Sequence, residues 1–318
     1  MNFRWLVLLL ILSTNSGCHW NRWFRRNVVE PSPVAFTAMP TREEIVQAVN
    51  ANSGRITSLQ TQGATVSIPG VPSIGADIAL ERPRNFRFRA GTNLLGSELD
   101  LGSNNDLFWF WAQRAPQPHV FYARHDQFAS SRAKQMLPVE PSWLIEALGL
   151  VELDPAAILE GPVTAGDDRV QLKTLVNSTS GQFTRLLHVH QKYGWILEQH
   201  LYDAAGQMIA SARGSQHEYY ALDGVSLPRK IDISAPQSQL QFQLIVDRYA
   251  INQPFADGKS LFDLPRTHLQ SYQFIDIADP TFVPPGVTSA GSASPPPRLS
   301  AQPEPTPLAR YRGFTQTR

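Results

Sequence analysis

The residues of this 318-residue chain that could do chemistry are few: one cysteine, eight histidines and scattered carboxylates. His188 and His190, in "HVHQ", lie two apart, so a strand places both on one face, and His200 or His217 could join them from neighbouring strands. Imidazoles so placed are part of a zinc ligand set. No Cys, Asp or Glu completes a local set, and Leu187 and Val189 alternate with the histidines. The simplest reading is the solvated side of an amphipathic strand, and no metal is expected. Asp167 and Asp168, and Asp154 before Pro155, fit turns rather than an acid–base pair. No GxSxG, P-loop, HExxH or dinucleotide glycine pattern occurs, so neither an enzyme nor a cofactor is expected. Cys18 is the only thiol and cannot form an intrachain disulfide. A role as nucleophile or ligand needs partners held by a folded domain.

The surroundings of Cys18 suggest a different use. Arg4 and the amino terminus precede "WLVLLLIL", an apolar run of eight residues, Trp5 to Leu12. That suits the core of an export signal, about 7–15 residues, and is too short for a spanning helix of about 20. "STNSG" then leads into the cysteine. "NSGC" resembles the lipobox of bacterial lipoproteins, with Ser16 and Gly17 as the small residues and Asn15 where an aliphatic residue is favoured. The resemblance implies cleavage after residue 17 and acylation of Cys18. Several acyl chains anchor firmly, because each buried methylene adds about 0.8 kcal/mol. Trp20, Trp23 and Phe24 could sit at headgroup level with Arg22, Arg25 and Arg26 near phosphates, or the stretch could be a solvated basic linker. Pro31, Pro33 and Pro40 mark residues 18–40 as anchor and spacer.

The net charge of +1 gives no electrostatic case for nucleic acid, and 42% hydrophobic residues allow a sizeable core. A domain is expected over 41–275. Thr41 and Glu44 have capping-box spacing, and Ile45, Val46, Val49 and Ile56 can share one helix face. About eleven alternating runs follow at hairpin spacing. Among them Ile74, Ala76, Ile78 and Leu80 share a face; Phe86 and Phe88 oppose Arg87 and Arg89; Leu99 and Leu101 oppose Glu98 and Asp100. Leu240, Phe242, Leu244 and Val246 oppose Gln241, Gln243 and Asp247. So many antiparallel strands predict a curled sheet or incomplete barrel rather than a flat one. "EPSWLIEALGL" predicts a second helix, begun by Pro141 and Ser142 and ended by Gly149, as a lid segment between the strands. From residue 276 to 318 nine of the 25 prolines accumulate, which predicts a disordered tail.

"DLFWFW" is apolar on both faces, with Leu107, Trp109 and Trp111 on one and Phe108 and Phe110 on the other. Such a strand must be covered twice. The helix from Thr41 to Ile56 is the expected cover on one side. The far wall of the curl, or a bound apolar ligand, is the other.

Over Thr41 to Ile275 the order of elements resembles the LolA/LolB-type fold of bacterial lipoprotein carriers. It is carried by the N-terminal amphipathic helix, "GADIALERPRNFRFRA", "NNDLFWFW", the interrupting helix and "DGVSLPRKIDIS" through "QLQFQLIVDRYAINQP". The resemblance implies an incomplete barrel of about eleven strands, lidded by helices and enclosing an apolar cavity for acyl chains. No ligand-contacting residue of the family can be matched here. From the chain's own pattern the expected cavity residues are Phe88, Trp109, Trp111, Trp143, Phe242 and Leu244. The expected function is a non-catalytic, lipid-anchored protein of the bacterial cell envelope that binds lipid or lipoprotein acyl chains, in lipoprotein trafficking. The alternative is an envelope scaffold with a filled barrel that binds a protein partner. Its membrane contact would be through acylated Cys18. His19 stands where Asp signals inner-membrane retention in some bacteria, which favours the outer membrane.

Overall fold

The computed structural model describes residues 30–283 except 93–95, 116–117, 129, 132, 134–140, 179–180 and 239. The expected signal peptide, Cys18, the first part of the anchor segment and nearly all of the Pro-rich tail lie outside the described residues. The chain divides into two units, Met1–Phe282 and Val283–Arg318, and of the second only Val283 is described.

Helix α1 (Arg42–Gly54) opens the domain. Its start is the expected capping box: the Thr41 hydroxyl accepts from the Glu44 amide at 3.2 Å, and the Glu44 carboxylate accepts from the Thr41 amide at 2.7 Å. Two orphan donors are thus satisfied at the helix start. Ile45, Val46 and Val49 are buried along one stripe. Short strands β1 (Ser58–Thr61) and β2 (Ala64–Ser67) follow, then β3 (Ile74–Glu81), β4 (Asn85–Thr92), β5 (Gly96–Ser103), β6 (Leu107–Ala112) and β7 (Val120–Arg124). Helices α2 (His125–Phe128) and α3 (Pro141–Ala147) interrupt the meander. It resumes with β8 (Ile158–Thr164), β9 (Arg169–Ser178), β10 (Gly181–His190), β11 (Ile196–Tyr202), β12 (Met208–Tyr220), β13 (Val225–Ala235) and β14 (Leu240–Val246). Two strands of three residues each, β15 (Tyr249–Ile251) and β16 (Phe274–Asp276), complete the set.

Among the described residues all sixteen strands belong to one sheet, ordered β16-β7-β6-β5-β4-β3-β2-β14-β13-β12-β11-β10-β9-β8, with β1 bridging β3 and β15. Every pairing is antiparallel except β16 with β7. The surplus over about eleven comes from short pieces and from β8. That strand holds Gly161 and Pro162, which mask its alternation; it lies at the sheet edge and carries two register shifts, where proline is tolerated. The sheet is open but strongly curled. β4 and β14 stand three strand spacings apart, about 14 Å on a flat sheet. Yet the rings of Phe88 and Phe242 stack 6.2 Å apart. This is the incomplete barrel that the family resemblance implies.

The inner face holds the main core. Ala76, Ile78, Leu80, Phe86, Phe88, Phe242, Leu244 and Val246 all belong to it, as the alternation predicts, and only Leu240 stays exposed. A second core lies under α1, where Ile45, Val46 and Val49 meet Leu172, Leu187 and Val189. Here the expectation that α1 covers the aromatic strand is corrected. Phe108 and Phe110 of β6 are covered instead by Phe128, Ala133, Ile277 and Phe282, and Trp111 by Leu264, Leu269 and Tyr272. The sequence after β15 carries no periodicity, so its use as a cover is invisible until folded. It also carries packing past the expected boundary at residue 275, since Ile277 is buried and Phe282 packs beside it. At the other end Phe36, placed in the expected linker, packs on the second core, and its amide donates to the Lys192 carbonyl at 3.1 Å.

Candidate functional site

Two regions could act on something outside the chain. The first is the wall inside the curl. It is lined from β3, β4, β12, β13 and β14 and occupied by α3. Trp143, Ile145, Ala147 and Leu148 are all buried there, with Leu144 packed alongside. A helix apolar on nearly every side must be enclosed, and this one fills the interior like a plug. Two features set it apart from ordinary core. The Trp143 indole N–H is buried without a partner. Glu146, on the same helix, reaches Arg185 of β10 at 2.6 Å, and Arg185 is further held by the Thr174 hydroxyl at 3.3 Å and the Glu152 carbonyl at 3.4 Å. Burial pushes the Glu146 carboxyl above its usual range, and the Arg185 charge offsets that only in part. The helix ends at Gly149, whose φ of +91° suits a residue without Cβ.

The six expected cavity residues are divided by the structure. Phe88, Trp143, Phe242 and Leu244 meet in the inner core. Trp109 and Trp111 do not, because they point to the outer face. Trp109 is fully buried there; its indole N–H donates to Asp100 at 3.0 Å, and the Arg87 guanidinium lies 5.6 Å from its ring centre. Arg87 grips Asp100 through two bonds of 3.1 and 2.6 Å and donates to the Leu261 carbonyl at 2.9 Å. A bidentate pair under a covering segment is a packing device, and the alternation of Arg87, Asp100 and Trp109 on adjacent strands was its signal.

The second region lies on the outer face of β9 to β14, where polar and apolar side chains mix. An open hollow of about 540 Å³ is bordered by Ser67, His200, Ser211, Arg213, Asp232 and Gln243. Beside it His188, Glu198 and His200 converge, with their nearest ligating atoms all within 4.8 Å of one another. The reading that no carboxylate completes a histidine set is corrected here. Glu198 sits opposite His188 in the β10–β11 register, and a shift between His188 and Val189 is part of that alignment. Spacing along the chain cannot reveal such a pairing. His190 and His217 stand apart from it. His190 packs edge-on to Trp195, and His217 stacks on Trp195 at 4.6 Å. Burial drives His217 down to about 4, although a backbone hydrogen bond at Ile196 works the other way. Burial also lowers His188, against the charge of Glu198. For Glu198, burial acts upward but is outweighed by Arg169 and Arg213, so it stays ionised below the usual range.

Among the described residues no helix is long and apolar enough to cross a membrane. No protein-family model matches the chain, and no curated protein matches it. Solved structures do. A LolA superfamily protein from Nitrosomonas europaea aligns at 13% identity and TM-score 0.44 over 71% of this chain and 98% of its own. A domain described as an outer membrane lipoprotein-sorting protein, from Vibrio parahaemolyticus, aligns at 9% identity and TM-score 0.47 over 72% and 100%. A DUF1329 family protein from Desulfovibrio piger aligns at 10% identity and TM-score 0.37 over 70% and 96%.

Proposed function

We propose that this chain is a lipid-anchored protein of the bacterial cell envelope that takes acyl chains of lipids or lipoproteins against the inner wall of its curled sheet. The observation that carries the reading is the plug. The wall formed by Phe88, Phe242 and Leu244 is covered by a helix of seven residues, not by a second sheet. Its contacts with Phe88, Phe242 and Leu244 are apolar, its one charged contact with the sheet is Glu146 to Arg185, and its tryptophan N–H finds no acceptor. An acyl chain makes the same apolar contacts. A methylene chain that displaces α3 therefore replaces apolar burial with apolar burial, at about 25 cal/mol per Å² on both sides of the exchange, while the Glu146–Arg185 pair that tethers the helix must part or exchange for water. The displaced Trp143 N–H regains water, which offsets part of the cost of opening. Cys18, acylated after cleavage behind residue 17, would hold the domain at the membrane, in the outer membrane by the identity of His19, and the part of residues 18–40 before the packed Phe36 would set its reach.

A second reading rests on the same helix. If α3 never leaves, the barrel is filled, and the protein is an envelope scaffold that binds a protein partner. Titration with palmitic acid separates the two. The carrier reading expects a saturable change in tryptophan emission, because Trp143 moves from a dry site to another environment. In Leu244→Asp that stays folded by circular dichroism, the buried carboxylate admits water and uptake is lost. Unchanged emission across the titration leaves the filled scaffold in place.

A further inference from the structure

We propose that His188, Glu198 and His200 form a binding site for a divalent cation of the zinc class on the outer face of the sheet, independent of the acyl-chain reading. Glu198 Oε2 lies 3.4 Å from His200 Nε2 and 3.7 Å from His188 Nδ1. Ligand atoms of a tetrahedral ion with bonds of about 2.0–2.1 Å stand roughly 3.3 Å apart; the two carboxylate–imidazole distances are near that value, and the two imidazoles, whose ligating atoms lie within 4.8 Å of each other, close the rest by side-chain rotation.

Three further features prepare it. First, His188 Nε2 lies 3.2 Å from the Gln171 side-chain oxygen, and only a protonated nitrogen can bond there. The neutral ring then carries its lone pair on Nδ1, which is buried without any hydrogen-bond partner and faces the carboxylate. Lone pair against carboxylate is an arrangement that a cation relieves. A side-chain carbonyl behind a ligating imidazole is the usual outer-shell device for fixing tautomer and orientation. Second, the two oxygens of Glu198 divide their work. Oε1 accepts from Arg169 at 2.8 Å and pairs with Arg213 at 3.0 Å, which orients the carboxylate and leaves Oε2 between the histidines. Arg213 is solvent-exposed and Arg169 half-exposed, so water screens part of their repulsion of an incoming cation. Third, His200 and Arg213 border the hollow, from which water can fill the coordination positions that two imidazoles and one carboxylate leave open. Two nitrogens and one oxygen favour Zn²⁺, Co²⁺ or Ni²⁺ over Ca²⁺ or Mg²⁺.

Isothermal titration of the full chain, purified without a polyhistidine tag, with ZnCl₂ tests this. One strong site per chain is expected, and Co²⁺ in its place gives visible d–d absorption with two nitrogen ligands. His200→Ala, at a partly exposed ring, abolishes the strong site. Gln171→Ala, which removes no ligand, weakens it about 10–100-fold. Glu198→Gln abolishes it too, although it also releases both arginines, so the first two variants carry the decision. No strong site in the wild type, or full affinity retained in folded His200→Ala, overturns the assignment and leaves the cluster as a charge network.

Discussion

Replacing Trp143 with alanine separates a plug from a permanent core residue. Trp143 is 7% exposed and meets the inner wall with Ile145 and Leu148. Truncating a buried tryptophan to alanine costs about 3–5 kcal/mol, much of it from the cavity left behind. The wild-type indole N–H lacks a partner, and an unsatisfied buried donor costs about 1–3 kcal/mol, so its removal returns part of the loss. The net expectation is about 2–3 kcal/mol. For a domain of this size each kcal/mol moves the thermal midpoint by about 2–4 °C, giving a fall of roughly 4–12 °C. An apolar cavity of this kind stays dry and accepts apolar ligands. Palmitic acid at a hundred times its dissociation constant should restore about 2.7 kcal/mol, or roughly 5–10 °C. Melts followed by far-ultraviolet circular dichroism, with and without the fatty acid, read both numbers. Trp143→Phe, which loses the N–H and three heavy atoms but keeps a ring in the site, should fall less than Trp143→Ala. A Trp143→Ala midpoint that falls and does not respond to fatty acid would refute the reasoning, because the enlarged interior would then have no affinity for acyl chains.

Other outcomes follow from the same geometry. Gly102→Ala drives a methyl group into the Trp109 indole and disturbs its bond to Asp100; overpacking and the lost charge-assisted bond together should cost about 3 kcal/mol, read as a lower midpoint, with acyl uptake by the folded protein unchanged because Trp109 lies on the outer face. His217 falls from the usual 6.5 to about 4, so the unfolded chain binds the extra proton between those values, and stability present above pH 6.5 is lost as pH falls toward 4. That is worth about 3 kcal/mol, and His217→Phe, which keeps a ring against Trp195, should flatten this part of a pH–stability curve measured by urea unfolding. Cys18→Ser should move the protein from the membrane fraction to the soluble one and block cleavage before residue 18; mass analysis of the mature N-terminus checks it, and an unmodified or differently cut terminus would count against the anchor.

Strands with one wet face were legible, because Ile78, Phe88 and Leu244 alternate with Asp77, Arg89 and Gln243. The capping box of α1 was legible because it is local. β6 was not fully legible, because a strand apolar on both faces does not say which side is the lumen. Trp109 and Trp111 fell to the outside because the segment after β15 folds back over them, and nothing periodic announces that segment. The cluster of His188, Glu198 and His200 was half legible. His188 and His200 were visible as histidines on strands, but Glu198 joins them only through the cross-strand register. The Trp143 helix was read from its flanking Pro141 and Gly149, while its position inside the curl depends on the bending of the whole sheet.

The most direct test of the central claim is native mass spectrometry of the protein extracted from bacterial envelopes, with organic extraction of whatever dissociates. Acyl-chain binding in the curl predicts non-covalent acyl lipid at up to one per chain in the wild type and in Cys18→Ser, lost from folded Leu244→Asp. A folded protein that carries no extractable lipid, and takes none up from added vesicles, would contradict it.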